Sequence, residues 1–161
     1  MDNAVKDREE NQDHAQCRCG HVSFEITGKP LLRGYCHCTI CQEFNQADRA
    51  DISLYRAKDI AMPEESRVEY KAYTSPPMVY RGKCVECQQP AIEYISLPLM
   101  PKLVIVPSSN VKDQTLLPSP LFHIFYHSRV SDSEDGLPKY EGYFKSQLAL
   151  FAALLRGYMS H

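Results

Sequence analysis

Three thiols stand within six residues in Cys36-His37-Cys38-Thr39-Ile40-Cys41. Thiolate is the soft, anionic ligand that zinc, iron and Cu(I) prefer. The two-residue gap between Cys38 and Cys41 is that of a zinc knuckle, in which a tight turn aims both sulfurs at one metal. Cys36 and Cys38 flank a single residue, so on extended backbone their side chains point the same way. With no fourth thiol nearby, a tetrahedral metal held by these three keeps one position open. Zinc with an open position is the catalytic arrangement, and four protein ligands is the structural one. Three anionic ligands also make zinc a weak electrophile, better suited to a labile thiolate than to hydrolysis.

Seven cysteines in all fall into three groups: Cys17/Cys19, Cys36/Cys38/Cys41 and Cys84/Cys87. An odd number excludes complete pairing as disulfides within the chain. One partition is four plus three: the Cys-x-Cys at 17–19 and the Cys-x-x-Cys at 84–87 close a four-thiolate site, and the triple holds an open one. A rival gives one thiol of the triple to the structural site and leaves another free. Spacing alone leaves both standing, and leaves iron as an alternative to zinc in a four-thiolate site.

Neighbouring residues offer further chemistry. His37 could shuttle protons beside the metal, although a residue between two ligands more often points away. Glu43 could be a fourth ligand that closes the site. Tyr35 and Phe44 flank the triple and read as core aromatics or pocket walls. His123 alternates with apolar neighbours and reads as a packing or surface histidine. The acidic stretch 132–135 reads as a solvated loop.

The elements that must position these groups are mostly strands. Val22, Phe24 and Ile26 alternate with Ser23 and Glu25 in a half-buried strand. Further strands are expected at 31–35, around Ile52 and Leu54, at 68–72, 78–83, 91–97, 102–106 and 122–126. Residues 42–50 read as irregular with at most one helical turn. From 141 to 159 the period changes: Phe144, Leu148, Phe151, Leu155 and Tyr158 recur every three or four residues, as on an amphipathic helix. We expect this stripe to dock on the β core, with a homodimer through the helix as the alternative cover. The domain plan is a disordered tail over 1–15, a zinc-binding β domain over 16–140 and the helix segment over 141–161.

Composition bounds the rest. The chain has 161 residues, 43% hydrophobic and 24% charged, with a formal net charge of −2. One domain with a real core is the expectation. No two Lys or Arg residues are adjacent, which argues against a nucleic-acid partner. The first sixteen residues lack the apolar core of a signal peptide, and no apolar run is long enough to span a bilayer. We expect a soluble cytoplasmic protein, with the nucleus as the alternative, whose thiols stay reduced.

Cys17-x-Cys19-Gly20, then Cys36-His37-Cys38-x-x-Cys41, then Cys84-x-x-Cys87 resembles the glutathione-dependent formaldehyde-activating enzyme family, whose domain centromere protein V shares. The resemblance runs from about Cys17 to about Tyr140 and includes Leu103–Val106 and Pro120–Phe125. It implies a mostly-β, zinc-stapled fold like that of the small zinc-binding chaperone of Rab GTPases. It implies two zinc ions per chain, a structural one on Cys17, Cys19, Cys84 and Cys87 and a second on Cys36, Cys38 and Cys41. The implied activity is that of a carbon–sulfur lyase, joining formaldehyde to glutathione or splitting S-hydroxymethylglutathione. The partner is then a small thiol such as glutathione or its aldehyde adduct. The chain departs from the family's pattern after Cys41, where Gln42–Gln46 replaces a basic and glycine-containing segment, and after Cys87, where Gln88-Gln89-Pro90 replaces Gly and a small hydroxyl residue. The alternative function is a non-catalytic zinc-stapled β module that binds a protein partner.

Overall fold

The computed structural model describes residues 12–160. Its centre is a seven-stranded sheet built from β3 (Leu32–Cys36), β4 (Ala50–Arg56), β5 (Val68–Ala72), β6 (Val79–Cys84), β7 (Pro90–Ile95), β8 (Leu103–Pro107) and β9 (His123–Ile124). The strand order is β5-β6-β7-β8-β4-β3-β9. All pairings are antiparallel except that of β3 with β9. A separate two-stranded ribbon pairs β1 (Asp13–Gln16) with β2 (Ser23–Ile26). Two helices complete the described chain: α1 (Thr39–Asn45) and α2 (Tyr143–Met159). The fold is mostly β with a C-terminal helix, as the sequence indicates.

Both faces of the sheet are covered, and its central strand shows why its sequence does not alternate. Every residue of β8 is buried. Val104 and Val106 enter one core, under the ribbon residues Ala15, Phe24 and Ile26. Leu103 and Ile105 enter the other, with Phe122, Ile124 and the α2 residues Ala153 and Leu154. A strand apolar on both sides reads as a continuous apolar run. β2 covers only one face, and it keeps the expected alternation, with Phe24 and Ile26 buried and Ser23 and Glu25 exposed.

Several expectations need correction. Of the segment read as a disordered tail over 1–15, the last three residues belong to strand β1 (Asp13–Gln16), registered against Ile26–Ser23; residues 1–11 lie outside the described residues. Only Ala15 of this strand is fully buried, so one small side chain was all the local sequence had to show. The stretch 42–50 does hold one helical turn, but that turn is the end of α1, which starts inside the triple at Thr39. The strand expected at 122–126 shrinks to His123–Ile124 because Phe125 takes φ 53° and leads into a 3-10 turn over Tyr126–Ser128. Glu141 precedes the C-terminal helix, which starts at Tyr143 after Gly142 (φ 79°).

The largest correction concerns the side of α2 that docks. Ser146, Ala153, Leu154 and Gly157 are buried, whereas Phe144, Leu148, Phe151 and Leu155 of the expected docking stripe are exposed. Small residues let the helix lie close on the sheet. A Cβ on Gly157 would stand 2.4 Å from the Leu31 carbonyl oxygen. The Ser146 hydroxyl accepts from the Phe125 amide at 2.8 Å and donates to the Tyr140 carbonyl at 3.3 Å. The helix is apolar nearly all round, so its bulkiest residues do not mark its inner face.

Candidate metal centres

The turn between β1 and β2 carries Cys17 and Cys19. Gly20 at φ 80° lets it close, with its amide on the Cys17 carbonyl at 3.0 Å. The Val22 amide points at the Cys17 sulfur from 3.3 Å. Cys84 ends β6, and Cys87 stands in the turn to β7. That turn needs a left-handed residue, which Gln88 supplies at φ 57°, with its amide on the Cys84 carbonyl at 2.9 Å. The four sulfurs all lie within 4.8 Å of one another. Cys17–Cys19 and Cys19–Cys84 measure 3.6 and 3.8 Å. Metal–sulfur bonds of about 2.3 Å give a tetrahedron with edges of about 3.8 Å, so these residues fit a bound ion. The group joins the ribbon to the sheet across the first core. Backbone amides also prepare it: burial opposes charge on Cys87, yet amides of Gln89 and Cys19 and the neighbouring thiols bring its pKa down to about 7.

The second group sits in the second core. Cys36 is the last residue of β3. Cys38 is the N-cap of α1, and its sulfur accepts from the Cys41 amide at 3.3 Å. The Cys-x-x-Cys spacing is thus that of a helix cap and its third residue, where a side chain meets an unsatisfied amide. The Cys36 and Cys41 sulfurs are 3.4 Å apart, and all three lie within 4.8 Å. Hydrogen bonds from Cys36 and Cys41 push the Cys38 thiol down to about 3, and Arg81 adds its charge. Hydrogen bonding with Cys36 and Cys38, then burial, drive the Cys41 thiol well up. No His, Asp or Glu among the described residues joins the three. Glu43, the candidate fourth ligand, stands exposed on α1 instead.

Two residues that the motif reading passed over complete this site. Arg81 and Glu93 face each other across β6 and β7 and form an ion pair. The side chains are 10% and 1% exposed. Burial pushes the Glu93 carboxyl up to about 7, against the pull of Arg81. The Arg81 charge acts on all three thiols of the triple, and its guanidinium lies 5.7 Å from the centre of the Phe44 ring. Phe44 is fully buried, as a core aromatic. The sequence did carry a signal: Glu93 is a carboxylate inside an otherwise apolar strand, and such a residue needs a cation when buried.

His37 belongs to neither group. Tyr35 and His123 are partners in the β3–β9 pairing, and Cys36 and Ile124 are the next pair. The His37 Nε2 lies 2.8 Å from Nδ1 of His123, whose Nε2 lies 2.7 Å from the Asp135 carboxylate. His123 is therefore a satisfied buried histidine that ties the 132–135 loop, read as simply solvated, to the sheet. Burial first, then the charges of His123, Arg49 and Arg129, lower His37 to about 4. Its ring packs against His123 and the edge of Tyr126, while the flanking thiols turn into the second core. Gln42, where the family pattern has a basic residue, gives its amide to the carbonyls of His37 and Ser128, both at 2.7 Å. It fixes the loop that carries the triple.

Nothing among the curated proteins matches. Among solved structures, the crystal structure of a Rhodobacter sphaeroides protein is similar, with a TM-score of 0.50 and 14% identity over 79% of this chain and 98% of that one. That likeness shows the fold. The family model for the glutathione-dependent formaldehyde-activating enzyme matches residues 12–128, a span that holds all seven cysteines and ends before α2. The chain belongs to the glutathione-dependent formaldehyde-activating enzyme family.

Proposed function

We propose that the chain is a zinc-dependent carbon–sulfur lyase acting on a thiol–aldehyde adduct such as S-hydroxymethylglutathione. The observation that supports it is a compact group of three thiols with no fourth acidic or imidazole ligand among the described residues. Zinc suits both groups by softness, four thiols serving as the structural site and three as the open one. In the open site zinc would stabilise a substrate sulfur as thiolate. In the splitting direction the adduct's hydroxyl loses its proton, a carbon–oxygen double bond forms and the carbon–sulfur bond breaks. The electron pair stays on sulfur, which then takes a proton, so aldehyde and thiol are released.

The chain's own residues shape this chemistry. Arg81 offsets the negative charge of three thiolates, and Glu93 holds Arg81 in place. Cys38 is fixed by the α1 amide, and Gln42 fixes the loop around it. The same loop limits the substrate. Gln42 already spends its donors on the backbone, and Glu43 faces solvent on α1, where a carboxylate repels an anionic tripeptide to an extent set by screening. A small neutral thiol is the better fit. Free thiols in both groups suit a reducing compartment, and we place the protein in the cytoplasm, with the nucleus as the alternative.

The test is calorimetry of zinc-loaded protein with glutathione and with a small neutral thiol, beside an NMR exchange assay on the two hydroxymethyl adducts. Binding and exchange should favour the neutral thiol and vanish in Cys38→Ser. Absence of any thiol binding to the wild type would reject the open site and favour a non-catalytic zinc-stapled module that binds a protein partner. The exposed face of α2 is the observation that keeps that second reading in play.

A further inference from the structure

The docked side of α2 is fixed by Ser146 and by the close approach of Gly157 to Leu31. Its outer side is therefore presented in one orientation. On that side Phe144 is 80% exposed, Leu148 68%, Phe151 52% and Leu155 48%, with Tyr143 and Met159 also exposed at the ends. The spacing is four, three, four. It is the seam spacing of paired helices, and it reads the same in both directions. The residue order is Phe, Leu, Phe, Leu, so reversing it sets each Phe against a Leu.

We propose that this face pairs with the same face of a second copy of the chain, antiparallel, about a two-fold axis between Leu148 and Phe151. Phe144 then packs on Leu155 of the second copy, and Leu148 on Phe151 of the second copy. A two-fold interface must be self-complementary in this way. Six large side chains, each 48% or more exposed, offer roughly 600 Å² per copy, near the about 800 Å² per partner of a standard interface. The antiparallel arrangement also opposes the two helix dipoles. The formal net charge of −2 disfavours the other surface that such a face could cover, an anionic membrane. This inference is independent of the proposed lyase activity.

Light scattering and sedimentation of the zinc-loaded full chain at micromolar concentration should give twice the chain mass. Leu148→Glu should halve that mass while leaving the circular dichroism spectrum and zinc content unchanged, because the residue touches solvent in one copy. A mixing experiment reads the register. Phe144→Glu and Leu155→Lys should each be monomeric alone and should associate when mixed, since the antiparallel pair brings position 144 of one copy to 155 of the other. A monomeric wild type, a dimer indifferent to Leu148→Glu, or two variants that stay apart on mixing would overturn the proposal. So would a monomer that binds vesicles of anionic phospholipid through this face.

Discussion

The two cysteine groups lie on opposite faces of one sheet and are built on different plans. Cys17, Cys19, Cys84 and Cys87 come from two turns far apart in sequence, and their sulfurs join the β1–β2 ribbon to the end of β6. Besides the first core, backbone bridges from Ala15 to Val111 and from Ile26 to Ile60 hold the ribbon in place. Cys36, Cys38 and Cys41 come from a single strand-to-helix junction. That junction has its own backbone cap, its own Gln42 staple and a buried Arg81–Glu93 pair beside it. Four thiols tie distant segments together, whereas three thiols stand at one junction that the backbone already secures.

The widest gap between the two groups should appear on losing one ligand. Cys84→Ser removes a thiolate from the cross-layer group, and metal-linked folding energy is on the order of 10 kcal/mol in small zinc peptides. The variant should lose its cooperative unfolding transition. Cys38→Ser should keep that transition while zinc content falls from two ions to one. Equal thermal destabilisation by both substitutions would erase the distinction. Chelator titration sharpens it: zinc from the triple should be released first.

A smaller effect separates charge from structure. Arg81→Met leaves Glu93 buried without its cation, which costs about 3–5 kcal/mol when a buried pair is broken. Replacing both residues, Arg81→Met with Glu93→Leu, should recover most of that stability in denaturant unfolding. Zinc affinity at the triple should stay low in the double variant, because the thiolates have still lost their compensating charge. If affinity recovers together with stability, Arg81 acts on the fold alone.

Two backbone changes test one face each. Gly157→Ala pushes α2 away from Leu31 and should cost about 1–3 kcal/mol, as overpacking does. It should disturb the core around the triple and spare the four-thiol site, read by zinc release from each. Gln88→Gly relieves a left-handed residue in the Cys84–Cys87 turn. The relief is about 1–2 kcal/mol, set against about 0.5–1 kcal/mol of added chain entropy. The net should be a small rise in melting temperature that leaves the triple untouched.

Much of this molecule is set by its sequence alone. The cysteine spacings, the alternation in β2 and the change of period at α2 are local patterns, and each follows from geometry within a few residues. The family resemblance adds the grouping of Cys17 and Cys19 with Cys84 and Cys87, sixty-five residues apart between Cys19 and Cys84. Tertiary structure decided what depends on a distant neighbour. Glu93 stands out in its apolar strand, but that Arg81 is its cation is settled only when β6 and β7 pair and bury both beside the triple. His123 and His37 meet only because β9 returns parallel to β3. Asp13–Gln16 becomes a strand because β2 offers it an edge. Helix α2 shows the limit most clearly. Its periodicity fixes that it is a helix, but two of its sides are apolar, and the flatter, smaller-residue side wins the sheet because Gly157 and Ser146 allow the closer approach.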